Sequence, residues 1–289
     1  MATKQVKKKA KPKKPKQKQK AAKRFARKRG KPVVFLFLDD IDSSHPIHLE
    51  RELRGKNVQE LELVINSPGG NAHAAYQLMA VARHHGKKVD VCVPYFAKSA
   101  ATLLCLGADT IIVGEVAELG PLDTQIRVKE AAGKYSYQSA LNPAKAIDQL
   151  RRFSMETFDL AVRMILARSD LDHDSACDHA IDFVKATTGQ LFSGVEAIKL
   201  GEYSRALAVG KEYGSRLLER YGKFSDSDRR KVLDKLVEGY PSHDFIIDYT
   251  ELKGLGFSVE ILEAESLAVF AEVFREAQNT KNLIEWVEP

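Results

Sequence analysis

The stretch Val89–Gln125 reads VDVCVPYFAKSAATLLCLGADTIIVGEVAELGPLDTQ, and it is preceded by the tight turn INSPGG at Ile65–Gly70. An apolar run of buried-strand type, Val89–Val93, stops at Pro94 and gives way to Ser99, which is followed by small and apolar residues, AATLLCLG. That order predicts a strand, a short loop and a helix with a serine at its start. Small residues at 100 and 101 leave room for a substrate backbone, and the unsatisfied N–H groups of a first helical turn face the serine. In INSPGG a strand ends in Pro68-Gly69-Gly70 before a helix opens at Asn71, and two glycines let backbone N–H groups turn outward. The pair of segments therefore predicts a nucleophile, Ser99, with amide donors at Gly69, Gly70 and Ala100. The competing reading of Ser99 is an ordinary helix N-cap.

Working outward, Val33–Leu38 (VVFLFL) reads as a central strand ending at Asp39-Asp40, and Leu61–Ile65 as a second strand. Asn71–His85 carries Ala74, Ala75, Leu78, Met79 and Ala82 at helical spacing and stops at Gly86. Strand Thr110–Val113 follows the serine helix. Alternating strands and helices of this length predict an α/β fold with a mostly parallel sheet, whose ligands sit at the carboxyl ends of the strands. INSPGG and Ser99 both lie there.

Past that point, Glu130–Ser139 is polar and reads as a loop or lid. Asn142-Pro143 opens a long helix with Ile147, Leu150, Phe158, Ala161 and Ile165 on one face. Gly189–Ser193 is strand-like, Gly194–Leu200 is a helix closed by Gly201, and the chain from Ser225 is mainly helical, broken at Tyr240-Pro241.

Of 289 residues, the first 31 hold 16 Lys or Arg and no acid, so the remainder carries 29 basic against 39 acidic residues, a net of −10. The sequence predicts an acidic globule with a disordered basic tail, residues 1–31, because dense like charge with few aliphatics cannot repay the entropy of ordering. Such a tail is suited to non-specific contact with nucleic acid or an anionic membrane surface. No apolar run approaches a secretory signal or a membrane span, which points to a soluble cytoplasmic protein. Cys92, Cys105 and Cys177 are odd in number, and the first two fall inside apolar patterns, so reduced thiols are expected rather than a disulfide framework. The cluster Asp172, His173, Asp174, Cys177, His179 lacks paired CxxC or HxxxH spacing, and no metal or cofactor is expected.

INSPGG followed by an alanine-rich helix resembles the oxyanion segment of the Clp protease. KSAATLLCLGADTIIVGEVAELGPLD resembles the nucleophile helix and next strand of signal peptide peptidase A and its archaeal relatives, and GQLFSGVEAIKLGEY the segment that closes that domain. LGPLDTQ (119–125) and YPSHDFIID (240–248) resemble signatures of the serine dehydrogenase proteinase family within the Clp/crotonase superfamily. The resemblance covers about Val33 to Asp248. It implies a Clp/crotonase-like core of repeated β-β-α units at 32–204, a mainly helical C-terminal extension at 205–289, and a homo-oligomer assembled through the helices after Ala140. It also implies a serine peptidase acting on peptide or protein, with Ser99 as nucleophile and Gly69 and Ala100 in the oxyanion hole. Where the Clp protease carries its catalytic histidine, this chain has ELGPLDTQ with Asp123.

A serine needs a base of suitably lowered pKa. Three residues are candidates. Lys145 falls in the first turn of the long helix, whose dipole disfavours an ammonium, and its spacing from Ser99 resembles that of the archaeal relatives. Lys134 lies in a GKY segment similar to that of the bacterial signal peptide peptidases. His243 has Asp244 or Asp248 as an orienting carboxylate. Lys98, next to Ser99, is a weaker candidate because neighbouring side chains diverge. Two other classes stay open: a catalytically silent scaffold or tethered binding module, and a crotonase-like acyl-CoA enzyme sharing the paired amides.

Overall fold

The computed structural model describes residues 16–122, 125–129, 135–139, 141–193, 196–222, 224–277 and 282–289. They form two compact units. The first comprises the described residues of Met1–Gly120, Leu217–Ser225 and Ile246–Pro289, the second those of Pro121–Arg216 and Asp226–Phe245.

The first unit is built on a six-stranded sheet. Its strands are β1 (Val33–Phe37), β2 (Val58–Asn66), β3 (Gly86–Val93), β5 (Ile111–Val113), β9 (Val259–Ile261) and β10 (Leu283–Val287), in the order β10-β1-β2-β3-β5-β9. Every neighbouring pair is parallel except β1 with β10. This is the α/β architecture with a mostly parallel sheet that the alternating pattern predicts. All five residues of β1 are buried, because a parallel strand covered on both faces must be apolar throughout rather than alternating.

Side chains alternate across the sheet with period two. Val33, Phe35, Phe37, Val64, Cys92 and Ile112 pack with α1 (Lys16–Arg29) and α10 (Ala264–Ala277) in one core. Its centre is aromatic, with Phe25 to Phe35 at 5.6 Å and Phe37 to Phe270 at 5.6 Å between ring centroids. The helices between the strands, α2 (His45–Leu53), α3 (Ala72–His85) and the short α4 (Ala100–Cys105), bury Leu49, Leu53, Leu78, Met79 and Leu104. Helix α3 starts where Asn71 predicts: the Asn71 side chain accepts from the Ala74 N–H at 3.0 Å.

The structure corrects the reading of the basic N-terminal segment. Residues 16–29, read as part of a disordered tail, form α1, with Ala21, Ala22, Phe25 and Ala26 buried. Their spacing makes one apolar stripe. The cations that flank the stripe meet acids of the globule: Arg24 pairs with Glu272 at 2.8 Å, and Arg29 forks onto Glu62. Lys31 adds a bond to Asp90 at 2.6 Å, with Glu62 and Asp90 almost fully buried. The C-terminal region, read as mainly helical, contains α9 (Tyr249–Gly254) and α10, and it also supplies both edge strands, β9 and β10.

The second unit contains the antiparallel hairpin β7 (Gln125–Lys129) and β8 (Tyr135–Ser139), then α5 (Leu141–Arg168), α6 (His173–Ser193), most of α7 (Ala197–Tyr221), and α8 (Asp226–Glu238). Residues 135–139, read as loop, are therefore a strand. Gly189–Ser193, read as strand-like, continues α6, and Gly201 lies inside α7 rather than closing a helix. In both places a long helix overrides a short local signal. Among the described residues no helix is long and apolar enough to cross a membrane.

Candidate active site

Three neighbouring segments meet at the carboxyl edge of the sheet in the first unit. Beyond β1, Ile41 forms a parallel bridge with Gly70, and beyond β2, Ser67 forms one with Ala97. The turn Ser67–Gly70 thus runs between the chain at Ile41 on one side and the chain leading to Ser99 on the other. Its backbone is fixed on both sides: Ile41 N–H donates to Gly69 O at 2.7 Å, Asn71 N–H to Ile41 O at 2.7 Å, and Lys98 N–H to Ser67 O at 3.0 Å.

The glycines are required by space as well as by torsion. Gly69 has φ +115°, and a Cβ there would stand 2.7 Å from Lys98 O, 3.0 Å from Ser99 Cβ and 3.1 Å from the Ala100 nitrogen. Gly70 has φ +136°, and a Cβ there would meet Asp40 Oδ1 at 2.3 Å and the backbone of Ile41 at 2.5 Å.

Ser99 sits between β4 (Phe96–Ala97), which pairs with β6 (Glu118–Leu119), and α4. Its backbone has φ +48° and ψ −116°, and its side chain makes no capping bond. A non-glycine residue at positive φ costs on the order of 1–3 kcal/mol and persists only where its surroundings hold it. The N-cap reading is thereby excluded, since a cap uses extended backbone and a side-chain bond to the first turn. A sharp strand-to-helix turn of this kind presents a nucleophile at the top of a sheet. Ser99 is half-buried, beside the buried Ala100 and Ala101.

Ser99, Ala100, Gly69 and Gly70 are thus brought together. Among the described residues nothing accepts from the amides of Gly70 and Ala100. The Gly69 amide donates at 3.2 Å to the hydroxyl of the fully buried Ser67.

Two of the candidate bases belong to the second unit. Lys145 is an exposed residue of the second unit, and its ammonium donates to Tyr240 O at 3.2 Å. His243 is half-buried in the same unit. The Asp248 carboxylate, a candidate to orient His243, caps α9 by accepting from the Glu251 N–H at 2.9 Å. Lys134 and Asp123 lie outside the described residues. Lys98 is held away from a base role by Glu118 at 2.9 Å and Leu119 O at 3.4 Å.

Sequence reasoning passed over the loop after β1. Asp40 is exposed but lies against Gly70, and partial loss of hydration, then the neighbouring Asp42, pushes its carboxyl above the usual range. At the start of α2 burial lowers the pKa of His45, whose Nδ1 accepts from the Asp42 N–H at 3.0 Å. The doubled Asp39-Asp40 at a strand's carboxyl end was the available signal.

Comparison with known proteins follows the same segments. The sequence model of the ClpP-like SDH-type serine proteinases matches residues 28–156. Two uncharacterized proteins of Methanocaldococcus jannaschii, MJ0137 and MJ1495, are 26% and 23% identical over 227 residues, 78% of this chain. The chain spans only 63% and 61% of their lengths. Among solved structures, a point mutant of ClpP1 from Listeria monocytogenes overlaps 81% of this chain and 94% of its own at 13% identity, with a TM-score of 0.40. A point mutant of the 1510-N membrane-bound stomatin-specific protease, in complex with a substrate peptide, overlaps 45% of this chain and 58% of its own at 20% identity, with a TM-score of 0.31. Those overlaps are partial. Over residues 28–156 the chain is similar in sequence to the ClpP-like SDH-type serine proteinases.

Proposed function

We propose that this protein is a serine peptidase that cleaves peptide bonds through an acyl-enzyme on Ser99. The observation that carries the reading is the positive-φ turn at Ser99 beside the open amides of Gly70 and Ala100. The Ser99 hydroxyl attacks the peptide carbonyl, its proton passes to a base, and the tetrahedral oxyanion is held by the Ala100 amide with Gly70 or Gly69. Each such donor is worth about 10²–10³ in rate. Collapse expels the amine, which takes the proton back from the base, and water then hydrolyses the ester by the same route. Lys145, Lys134 and His243 are the candidate bases. No metal or cofactor enters these steps.

The acting form is a homo-oligomer that buries the helices after Ala140. Phe153 and Leu160 on one face of α5, with Phe183 and Leu191 on α6, are exposed, and exposed apolar side chains on these helices support their burial on association. A second reading, a catalytically silent scaffold, is favoured by one observation: the Gly69 amide is already taken by Ser67.

The test is intact mass and peptide mapping after a fluorophosphonate probe, on wild type, Ser99→Ala, Lys145→Ala, Lys134→Ala and His243→Ala. A single adduct on Ser99, lost in one base variant, is the expected result and names the base. A folded, assembled protein that takes up no probe refutes the peptidase and leaves the scaffold.

A further inference from the structure

The strained turn at Ser99 needs anchors on both sides, and most of them are backbone bonds. Ala101 N–H donates to Lys98 O at 2.9 Å and Leu103 N–H to Ser99 O at 3.0 Å, which hold the helix side. On the strand side one side chain intervenes. The Thr102 hydroxyl donates to Ala97 O at 2.7 Å and accepts from the Gly120 N–H at 3.2 Å, and the Gly120 N–H also reaches Ala97 O at 3.2 Å. Thr102 is fully buried. Its bond to Ala97 is the only side-chain hydrogen bond onto the backbone of residues 97–99 among the described residues.

A buried hydroxyl with its donor and acceptor capacity both used is directional. It fixes Ala97, two residues before the nucleophile, relative to Gly120, the last residue before the chain enters the second unit. Without the hydroxyl, Ala97 O keeps only the longer Gly120 contact, and Ser99 is free to relax toward the negative-φ backbone of an ordinary helix start.

We infer that Thr102 is a positioning residue for Ser99, tying the nucleophile turn to Gly120 through the three-way contact of Ala97 O, Thr102 Oγ1 and Gly120 N. This rests on Ser99 being the nucleophile.

The experiment compares wild type, Thr102→Val, Thr102→Ala and Thr102→Ser by the saturation kinetics of fluorophosphonate labelling of Ser99, each at a temperature well below its own melting midpoint. Val keeps the shape without the hydroxyl, Ala avoids crowding if Val does not fold, and Ser keeps the hydroxyl. The maximal labelling rate falls about tenfold or more in Val and Ala, as expected for a misplaced reacting atom. The half-saturating probe concentration stays put, and Ser stays within about threefold of wild type. A Val or Ala variant labelled as fast as wild type, or a Ser variant as slow as Ala, overturns the role of Thr102 while leaving the nucleophile intact. A folded wild type that takes no probe overturns the nucleophile, and the role of Thr102 with it.

Discussion

Replacing Gly70 with alanine tests the geometry of the glycine turn against an internal reference. The new Cβ would stand 2.3 Å from Asp40 Oδ1 and 2.5 Å from both the nitrogen and the oxygen of Ile41. Asp40 is exposed and can swing away. Ile41 cannot, because its N–H and C=O are the two groups bridging to Gly69 and Asn71. The substitution therefore adds a backbone clash of about 1–3 kcal/mol to a positive-φ penalty of about 1–3 kcal/mol. The sum, on the order of 4 kcal/mol, lowers the melting midpoint by roughly 10 °C for a chain of this size.

Gly55→Ala is the reference. Gly55 also has positive φ, +75°, but nothing lies within 4 Å of its Cβ position. It carries the torsional term alone, about 1 kcal/mol or roughly 3 °C. Thermal melting of the two variants, with fluorophosphonate labelling of Ser99 below both midpoints, reads stability and site together. Gly70→Ala is labelled more slowly than Gly55→Ala because the chain opposite Ser99 has moved. Midpoints that agree within about 2 °C, with equal labelling, would refute the claim that Ile41 and the Ser99 segment clasp this turn.

Two further outcomes follow from charges in the first unit. Glu62→Gln leaves Arg29 and Lys31 without their shared buried carboxylate and costs about 3–5 kcal/mol, read by chemical denaturation. Glu272→Gln, at the exposed Arg24 pair, costs under about 1 kcal/mol; equal losses would contradict the burial of the Glu62 site. His45 is neutral in the folded protein because burial lowers its pKa, so the unfolded chain binds the extra proton. The stability it contributes is complete above about pH 6.5 and is lost as pH falls through its folded value. Denaturation midpoints between pH 7 and pH 5 measure the loss, which is smaller in His45→Gln, and an NMR titration midpoint for His45 above that of a free imidazole would reverse the sign.

Much of this was legible in the sequence wherever one residue pattern admitted one structure. VVFLFL, LELVI and VDVCV read as strands and are strands, and Asn71 with Gly86 brackets a helix whose ends fall where those residues sit. The edge strand Leu283–Val287 was harder, since its buried residues alternate with half-exposed ones, as on an edge, and a strand preceded by helices carries no signal of its partner. Helix α1 was missed because composition averages over the stripe. Four small or aromatic residues are outvoted by cations, although those cations find acids elsewhere in the fold. At the site, the residue types of Ser99, Gly69 and Gly70 were readable. The torsion at Ser99 and the Ser67 hydroxyl on the Gly69 amide depend on contacts between distant segments, which no local pattern carries.

The register of the sheet explains why these particular residues converge. Between β1 and β2 the pairing of Phe37 with Asn66 is in step with the isolated bridge of Ile41 with Gly70, so the glycine turn keeps the register of the sheet. Between β2 and β3 it does not: Val64 pairs with Cys92, but Ser67 pairs with Ala97, two residues out of step. The excess falls at Pro94-Tyr95. A proline cannot donate to a ladder, and Gly114 packs so closely on Pro94 O that a Cβ there would stand 2.1 Å away. The extra length takes the chain off the sheet and lets it rejoin at Phe96–Ala97. Two residues further on, Ser99 turns the chain into α4 with positive φ. The strained backbone of Ser99 thus lies a few residues beyond a two-residue register shift, so the chain between Val93 and Phe96 sets where the segment bearing Ser99 rejoins the sheet.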